Sequence, residues 1–213
     1  ATVFPTIQGI ALLLDVGANV ECKAQQLVEF AHMGSVYAER ILGIERPRIG
    51  LLSNGEEASK GPREVREAHA LLSRSALHFV GNVEGKDVPR GGADVVVCDG
   101  YAGNVLIKTA EGTAETIVSL LREELTRTFV RKMLAAALRP AFRALRSRMD
   151  YAEYGGAVLL GLRGPLIVAH GRSNARAIAN AVRVARDAVQ RHVTSALQEG
   201  MEAVARETSA TSP

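Results

Sequence analysis

The chain has no tryptophan, two cysteines and only 4% aromatic residues among its 213. Cys22 and Cys98 are too few and too differently placed for a disulfide framework and lack the paired spacing of a thiolate metal site. Both read as reduced, structural thiols of a cytoplasmic protein. With so few rings for base stacking and neither a zinc-finger nor an RNA-binding signature, nucleic acid is not expected as a partner. No uncharged apolar stretch approaches the ~18 residues of a bilayer span, and no basic segment followed by a cleavable apolar one marks the chain for export. Neither G-x-x-x-x-G-K-[ST] nor G-x-G-x-x-G occurs, so nucleotide chemistry is not indicated, and neither a cofactor nor a metal ion is expected.

What is present is 47% apolar and 23% charged sequence, enough to bury the core of a single α/β catalytic region over residues 1–213. The net charge of +3 is unevenly spread. Between Leu125 and Met149 stand Arg127, Arg131, Lys132, Arg139, Arg143, Arg146 and Arg148, with no acidic residue until Asp150. Apolar residues recur through the same stretch at helical steps, and Pro140 interrupts the backbone, which predicts two short helices or a sharp kink near Arg139. Residues 111–150 therefore read as a protruding helical arm. Its apolar positions include Leu138 and Phe142, its basic ones Arg139, Arg143 and Arg146. Two readings stay open: a dimer helix with a solvated basic face, or an arm that also touches anionic membrane.

Four apolar runs each break into a polar, glycine-containing turn. Leu12 to Leu14 run into Asp15, Gly17 and Asn19; Ile49 to Leu52 into Ser53, Asn54, Gly55, Glu56 and Glu57. Leu77 to Val80 run into Gly81, Asn82, Glu84 and Gly85; Val95 to Cys98 into Asp99, Gly100, Gly103 and Asn104. Turns at the carboxyl ends of parallel strands are where open α/β sheets bind ligands, so four of them predict one shared crevice. Helical patterns lie between: Leu27 to Leu42 closed by Gly43, a second from Pro62 at its first position, and a third from about Asn104 towards Phe129. Two short strands, Val158 to Leu162 and Leu166 to Ala169, precede one long terminal helix from Ser173, with Glu207 to Pro213 frayed. The expected fold is α/β with three layers and a mainly parallel sheet covered on both faces.

At the turns, Asp15 and Asp99 can bind a metal, orient a donor or accept N–H bonds locally, the last being the default for such residues; Asn19, Asn82 and Asn104 share it. Ser173 is an N-cap, an anion ligand or both, because a helix start offers free N–H groups and the positive end of the dipole. Lys60 and Lys108 each follow a glycine-containing turn at a helix entrance, within reach of a bound anion, or are simply solvated. His170 alone among the histidines stands between a strand end and a glycine.

Taken together, Leu14 to Asn19, Met33-Gly34-Ser35, Asn54 to Glu57 with Lys60-Gly61, Gly81 to Gly85, Asp99 to Asn104, Asp150-Tyr151 with Tyr154 to Gly156, and His170 to Ser173 resemble the bacterial phosphate acyltransferases of phospholipid synthesis. The order and spacing match over nearly the whole chain. The resemblance implies an isopropylmalate-dehydrogenase-like fold and a homodimer, cytoplasmic and peripherally attached to the inner face of the cell membrane. It implies an enzyme that makes acyl phosphate from long-chain acyl-acyl carrier protein and inorganic phosphate, with the downstream membrane acyltransferase as a further partner. Family members also carry an N-terminal portion of about a hundred residues, domain-sized, with an Asp-Ala-Met-Gly-Gly-Asp motif absent here, so this sequence is expected to be the C-terminal two-thirds. The implied chemistry is attack of phosphate on a thioester, which needs positioning and charge stabilisation and no nucleophilic side chain. On that reading Ser173, Asn174, Lys60 and Gly171 are candidates for phosphate, Asn82, Asn104 and Lys108 for the thioester or its oxyanion, and Asp99 is a further catalytic candidate. His170 is the candidate to protonate the departing sulfur. Alternatives of another kind are a phosphotransacetylase acting on acyl-coenzyme A, a decarboxylating dehydrogenase on a similar fold, and a non-catalytic membrane-associated dimerisation fragment.

Overall fold

A computed structural model describes residues 1–149, 156–169 and 173–210. Its first two strands, β1 (Thr2–Thr6) and β2 (Gly9–Leu14), form an antiparallel hairpin. β3 (Ile49–Ser53), β4 (Phe79–Glu84) and β5 (Val95–Val97) join β2 in parallel, giving the order β1-β2-β5-β3-β4. β1 is absent from the pattern of apolar runs because it is half-buried throughout and carries Pro5, which an edge strand tolerates. The central strands are buried on both faces, which is why Val95, Val96 and Val97 read as a continuous apolar run and not as an alternation.

One face, with Leu12, Leu14, Ile49, Leu51, Val95 and Val97, lies under α1 (Ala24–Tyr37) and α2 (Arg63–Leu72). Gly34 permits the close approach of α1, since a Cβ there would come within 2.5 Å of a Val95 methyl. α1 ends in a π-helical turn, Ala38–Leu42, closed by Gly43 at φ +70°, the left-handed cap expected there. The other face, with Leu13, Val83 and Val96, is covered by Val88, Ala93 and two residues of α3 (Gly100–Thr126), Leu106 and Ile107. Helix, sheet and helix make the three expected layers.

Beyond its first turn α3 buries nothing fully, and α4 (Phe129–Ala137) buries no residue at all. α5 (Arg139–Met149) follows after a break at Leu138, with Pro140 in its first turn, as the proline requires. Leu120, Phe129, Met133, Leu134 and Leu138 of this arm are all more than half exposed. Glu124 pairs with Arg127 at 3.2 Å and Arg131 at 2.7 Å, so the basic run is partly neutralised at its start.

β6 (Ala157–Leu159) and β7 (Leu166–Val168) pair antiparallel, and the Val158 N–H donates to the Ala1 carbonyl at 2.8 Å, tying them to β1. The expected single terminal helix is two, α6 (Ala175–Gln190) and α7 (Val193–Ala210), broken where His192 takes φ +53°. That break turns α7 back over α1. Val193 and Leu197 then enter the main core, and the Arg191 guanidinium donates to the carbonyls of Arg40 and Ile41 at the end of the first helix. α7 continues through Glu207 to Ala210, further than the sequence suggests. Other boundaries differ: Pro62 is the N-cap of α2, one position before the helix, α3 starts at Gly100 rather than near Asn104, and the cap of α6 is Asn174 rather than Ser173.

Candidate functional site

The turn after β2 is satisfied by its own residues. The buried Asp15 carboxylate accepts the N–H groups of Gly17, Ala18 and Asn19 at 2.7–2.9 Å and the Asn19 side-chain amide at 2.8 Å. Burial alone would push this carboxyl up, but the four hydrogen bonds outweigh it and hold its pKa below the ordinary value. The turn after β5 docks onto it. The Gly100 N–H donates to the Asn19 carbonyl at 2.7 Å, and Gly103 lies so close to the Asp15 carbonyl that a Cβ would overlap it. Cys98 donates its thiol to the same carbonyl at 3.2 Å, and burial pushes that thiol far up, so it stays protonated. Burial also raises Cys22. Asp99 is the N-cap of α3, its Oδ1 accepting from the Ala102 N–H at 2.7 Å.

This doubly pinned start aims α3 along a cleft of about 830 Å³. Asn104 and Lys108, one helical turn apart, line it from α3; Ser173 lines it next to the start of α6, and β1 supplies a wall with Val3 and Phe4. Ile107 and Ile117 extend the apolar surface along α3. The Lys108 ammonium is engaged by Glu111 at 3.1 Å in an exposed pair, easily exchanged for another anion. The volume and the mostly apolar lining with a few convergent polar groups are those of a small-molecule site.

The remaining candidates do not share this cleft. Asn82 falls inside β4, two residues before its end, because pairing with β3 (Leu51 opposite Asn82, Ser53 opposite Glu84) keeps that stretch extended. Instead of a turn residue it is a buried strand residue in a smaller pocket of about 380 Å³, together with Glu56 and Asp87. The expected single crevice is thus two. Lys60, in the turn before α2, lays its stem across Gly55 and lines neither pocket; its ammonium has no partner among the described residues. Asn174 spends its side-chain oxygen on the Ala177 N–H as the α6 cap. His170 and Gly171 lie outside the described residues.

Two features escape a reading of the sequence. The β1 wall of the cleft follows from pairing with β2. The carboxylates of Glu56, Glu84 and Asp87 gather within 4.8 Å of one another, and their signal was the acidic residues in the turns after two neighbouring strands.

A family model described as fatty acid synthesis protein matches residues 1–196. The chain belongs to that family. Curated relatives named phosphate acyltransferase include those of Heliobacterium modesticaldum, 50% identical over 199 residues, and Syntrophotalea carbinolica, 51% over 204. That of Geobacter sulfurreducens is 49% identical over 202 residues. The matches take in 93–95% of this chain and 58–59% of each relative, so the chain spans about three-fifths of the length of the relatives it matches. No described helix is long and apolar enough to cross a membrane.

Proposed function

We propose that this chain supplies the cleft of a phosphate acyltransferase that converts long-chain acyl-acyl carrier protein and inorganic phosphate into acyl phosphate for phospholipid synthesis. The observation that carries it is the cleft's two-part character, an apolar lining from β1 and α3 beside Asn104, Lys108 and Ser173, in a chain about half identical to proteins of that name. The lining suits an acyl chain or the arm that presents it. The polar groups suit a thioester and a phosphate.

In the reaction a phosphate oxygen bonds to the thioester carbonyl carbon, the carbonyl oxygen takes the negative charge, and the carbon–sulfur bond then breaks, leaving the carrier's thiolate to be protonated. Asn104 and Lys108 are assigned to the oxyanion, where donors fixed in advance stabilise charge as it develops. Ser173 and the start of α6 bind phosphate. Asn174 and Asp99 hold these groups in position as caps. His170 is the acid for the departing sulfur, with Gly171 next to it in the sequence. The arm self-associates in a homodimer and rests on the membrane surface, near the membrane acyltransferase that consumes the product.

The test is phosphate-dependent thiol release from acyl-acyl carrier protein, run on this chain joined to the part of the Heliobacterium relative that lies outside the match. Asn104→Ala should lower kcat by about 10²-fold, the typical effect of losing one oxyanion donor. Ser173→Ala should raise the phosphate KM a few-fold with kcat nearly kept, as for an anion at a helix start worth about 0.3–1 kcal/mol. Equal turnover with acyl-coenzyme A, or no effect of either substitution, would remove the assignment.

A further inference from the structure

The pocket beside β4 takes no part in the steps above. Glu56 comes from the turn after β3, Glu84 ends β4, and Asp87 follows in the next turn, with their carboxylate oxygens within 4.8 Å of one another. Three negative charges so close repel unless something positive lies among them. Lys86 pairs with Glu84 and also feels Asp87 and Glu56, and Arg90 reaches Asp87 at 3.7 Å. All of these groups are partly exposed, and the two basic side chains balance only two of the three carboxylates. Asp87 is held in place by a second contact, its Oδ2 accepting the Glu84 N–H at 3.1 Å.

Asn82 supplies an independent observation. It is 6% exposed and stands two residues before Glu84 on β4, so the two side chains leave the strand on the same side. Its amide nitrogen donates to the carbonyl of Glu57, next to Glu56, at 2.8 Å. That bond fixes which end of the amide is nitrogen and leaves Oδ1 buried and without a hydrogen-bond partner among the described residues. A buried carbonyl oxygen left unpartnered is costly, and natural structures keep few of them. Asn82, Glu56 and Asp87 line one pocket. Carboxylate and amide oxygens without sulfur or imidazole are the ligand set of a hard divalent cation such as Mg²⁺, Mn²⁺ or Ca²⁺.

We propose that Glu56, Glu84, Asp87 and the Asn82 side-chain oxygen form a divalent-cation site of this hard-oxygen class, with water as the remaining ligands and with the Lys86 ammonium displaced when the ion binds. The ion ties the turn that carries Lys60 to the end of β4. Because the carboxylates are partly exposed and Lys86 competes, affinity falls in the weak range of such sites, with Kd on the order of 10⁻⁴–10⁻³ M.

The experiment is Mn²⁺ binding to the intact chain, followed by the loss of the free-ion electron paramagnetic resonance signal, with Mg²⁺ as competitor. One saturable site per chain is expected. Glu56→Gln, at an exposed position whose loss leaves the fold unaffected, and Glu84→Gln should each weaken it by about tenfold, since affinity in these sites follows the number of charged ligands. Lys86→Met should tighten it several-fold by removing the competing ammonium. Absence of saturable binding, an affinity indifferent to Glu56→Gln and Glu84→Gln, or no gain in Lys86→Met would overturn the proposal. None of these readings depends on acyl transfer, so the site stands or falls separately from the proposed reaction.

Discussion

At the scale of single residues, Asp15 connects the local chemistry of a turn with the behaviour of the whole chain. Its carboxylate is buried and accepts four hydrogen bonds, so its folded-state pKa lies below the ordinary 3.8. Asp94 behaves likewise: burial raises its carboxyl, but two hydrogen bonds to the Arg48 side chain, one to the Arg48 N–H and the guanidinium charge outweigh burial. As pH falls below about 3.8 the unfolded chain takes up protons that the folded chain still refuses, so this contribution is complete above that pH and is lost as pH drops through the folded value. Asp15→Asn should therefore show a shallower fall of unfolding free energy between about pH 4.5 and 2.5. At neutral pH it should be less stable by roughly 1–3 kcal/mol, because charge-assisted bonds are lost. Urea unfolding across that range measures both, and parallel pH profiles for the parent and the variant would show that the turn does not hold the carboxylate as described. This residue was legible in the sequence as a turn-forming aspartate, since its donors lie two to four positions away. Asn82 was not, because whether it sits in a turn or a strand depends on its pairing with Leu51, 31 positions earlier.

At the scale of elements, α3 to α5 follow the local sequence in their helical course and in where it breaks. Proline geometry alone predicts the break between α4 and α5, and a break at Leu138 is what forms. Its exposed apolar residues give it a reason to associate, and each basic side chain near an anionic surface adds about 1 kcal/mol. Glu124 already neutralises part of the charge at Arg127 and Arg131, so the contribution falls on Lys132, Arg139, Arg143 and Arg146 further along. Leu138→Ser with Phe142→Ser should lower self-association in sedimentation equilibrium. Changing Arg139, Arg143 and Arg146 to Glu should abolish salt-sensitive co-sedimentation with anionic vesicles. Binding unmoved by salt, lipid charge and both sets of changes would confine the arm to a solvated helix pair. The terminal helix was harder to foresee. Its apolar periodicity runs through Arg191 and His192, and what divides it is the turn that lets α7 reach α1.

For the whole molecule, stability is expected to follow the layers. β2, β5 and β3 are enclosed between α1 with α2 on one side and α3 with the Val88–Ala93 loop on the other, whereas α4 has no buried residue. Native-state hydrogen exchange should find the slowest amides in those three strands, opening only with global unfolding, and α4 exchanging with little protection beyond its own helix. Equal protection across α4 and β5 would mean that the arm is covered by a partner in solution. The order of β2 to β5 with the helices between them, the glycine stop at Gly43 and the proline break at Pro140 were determined by the sequence alone, because each rests on a periodic pattern or on residues a few positions apart. The antiparallel β1, the gathering of Asn104, Lys108 and Ser173 in one cleft without Asn82, and the Glu56, Glu84 and Asp87 cluster were decided only by tertiary structure. These depend on which strand pairs with which and on how closely α3 settles against the Asp15 turn, contacts between segments tens of residues apart that no local pattern encodes.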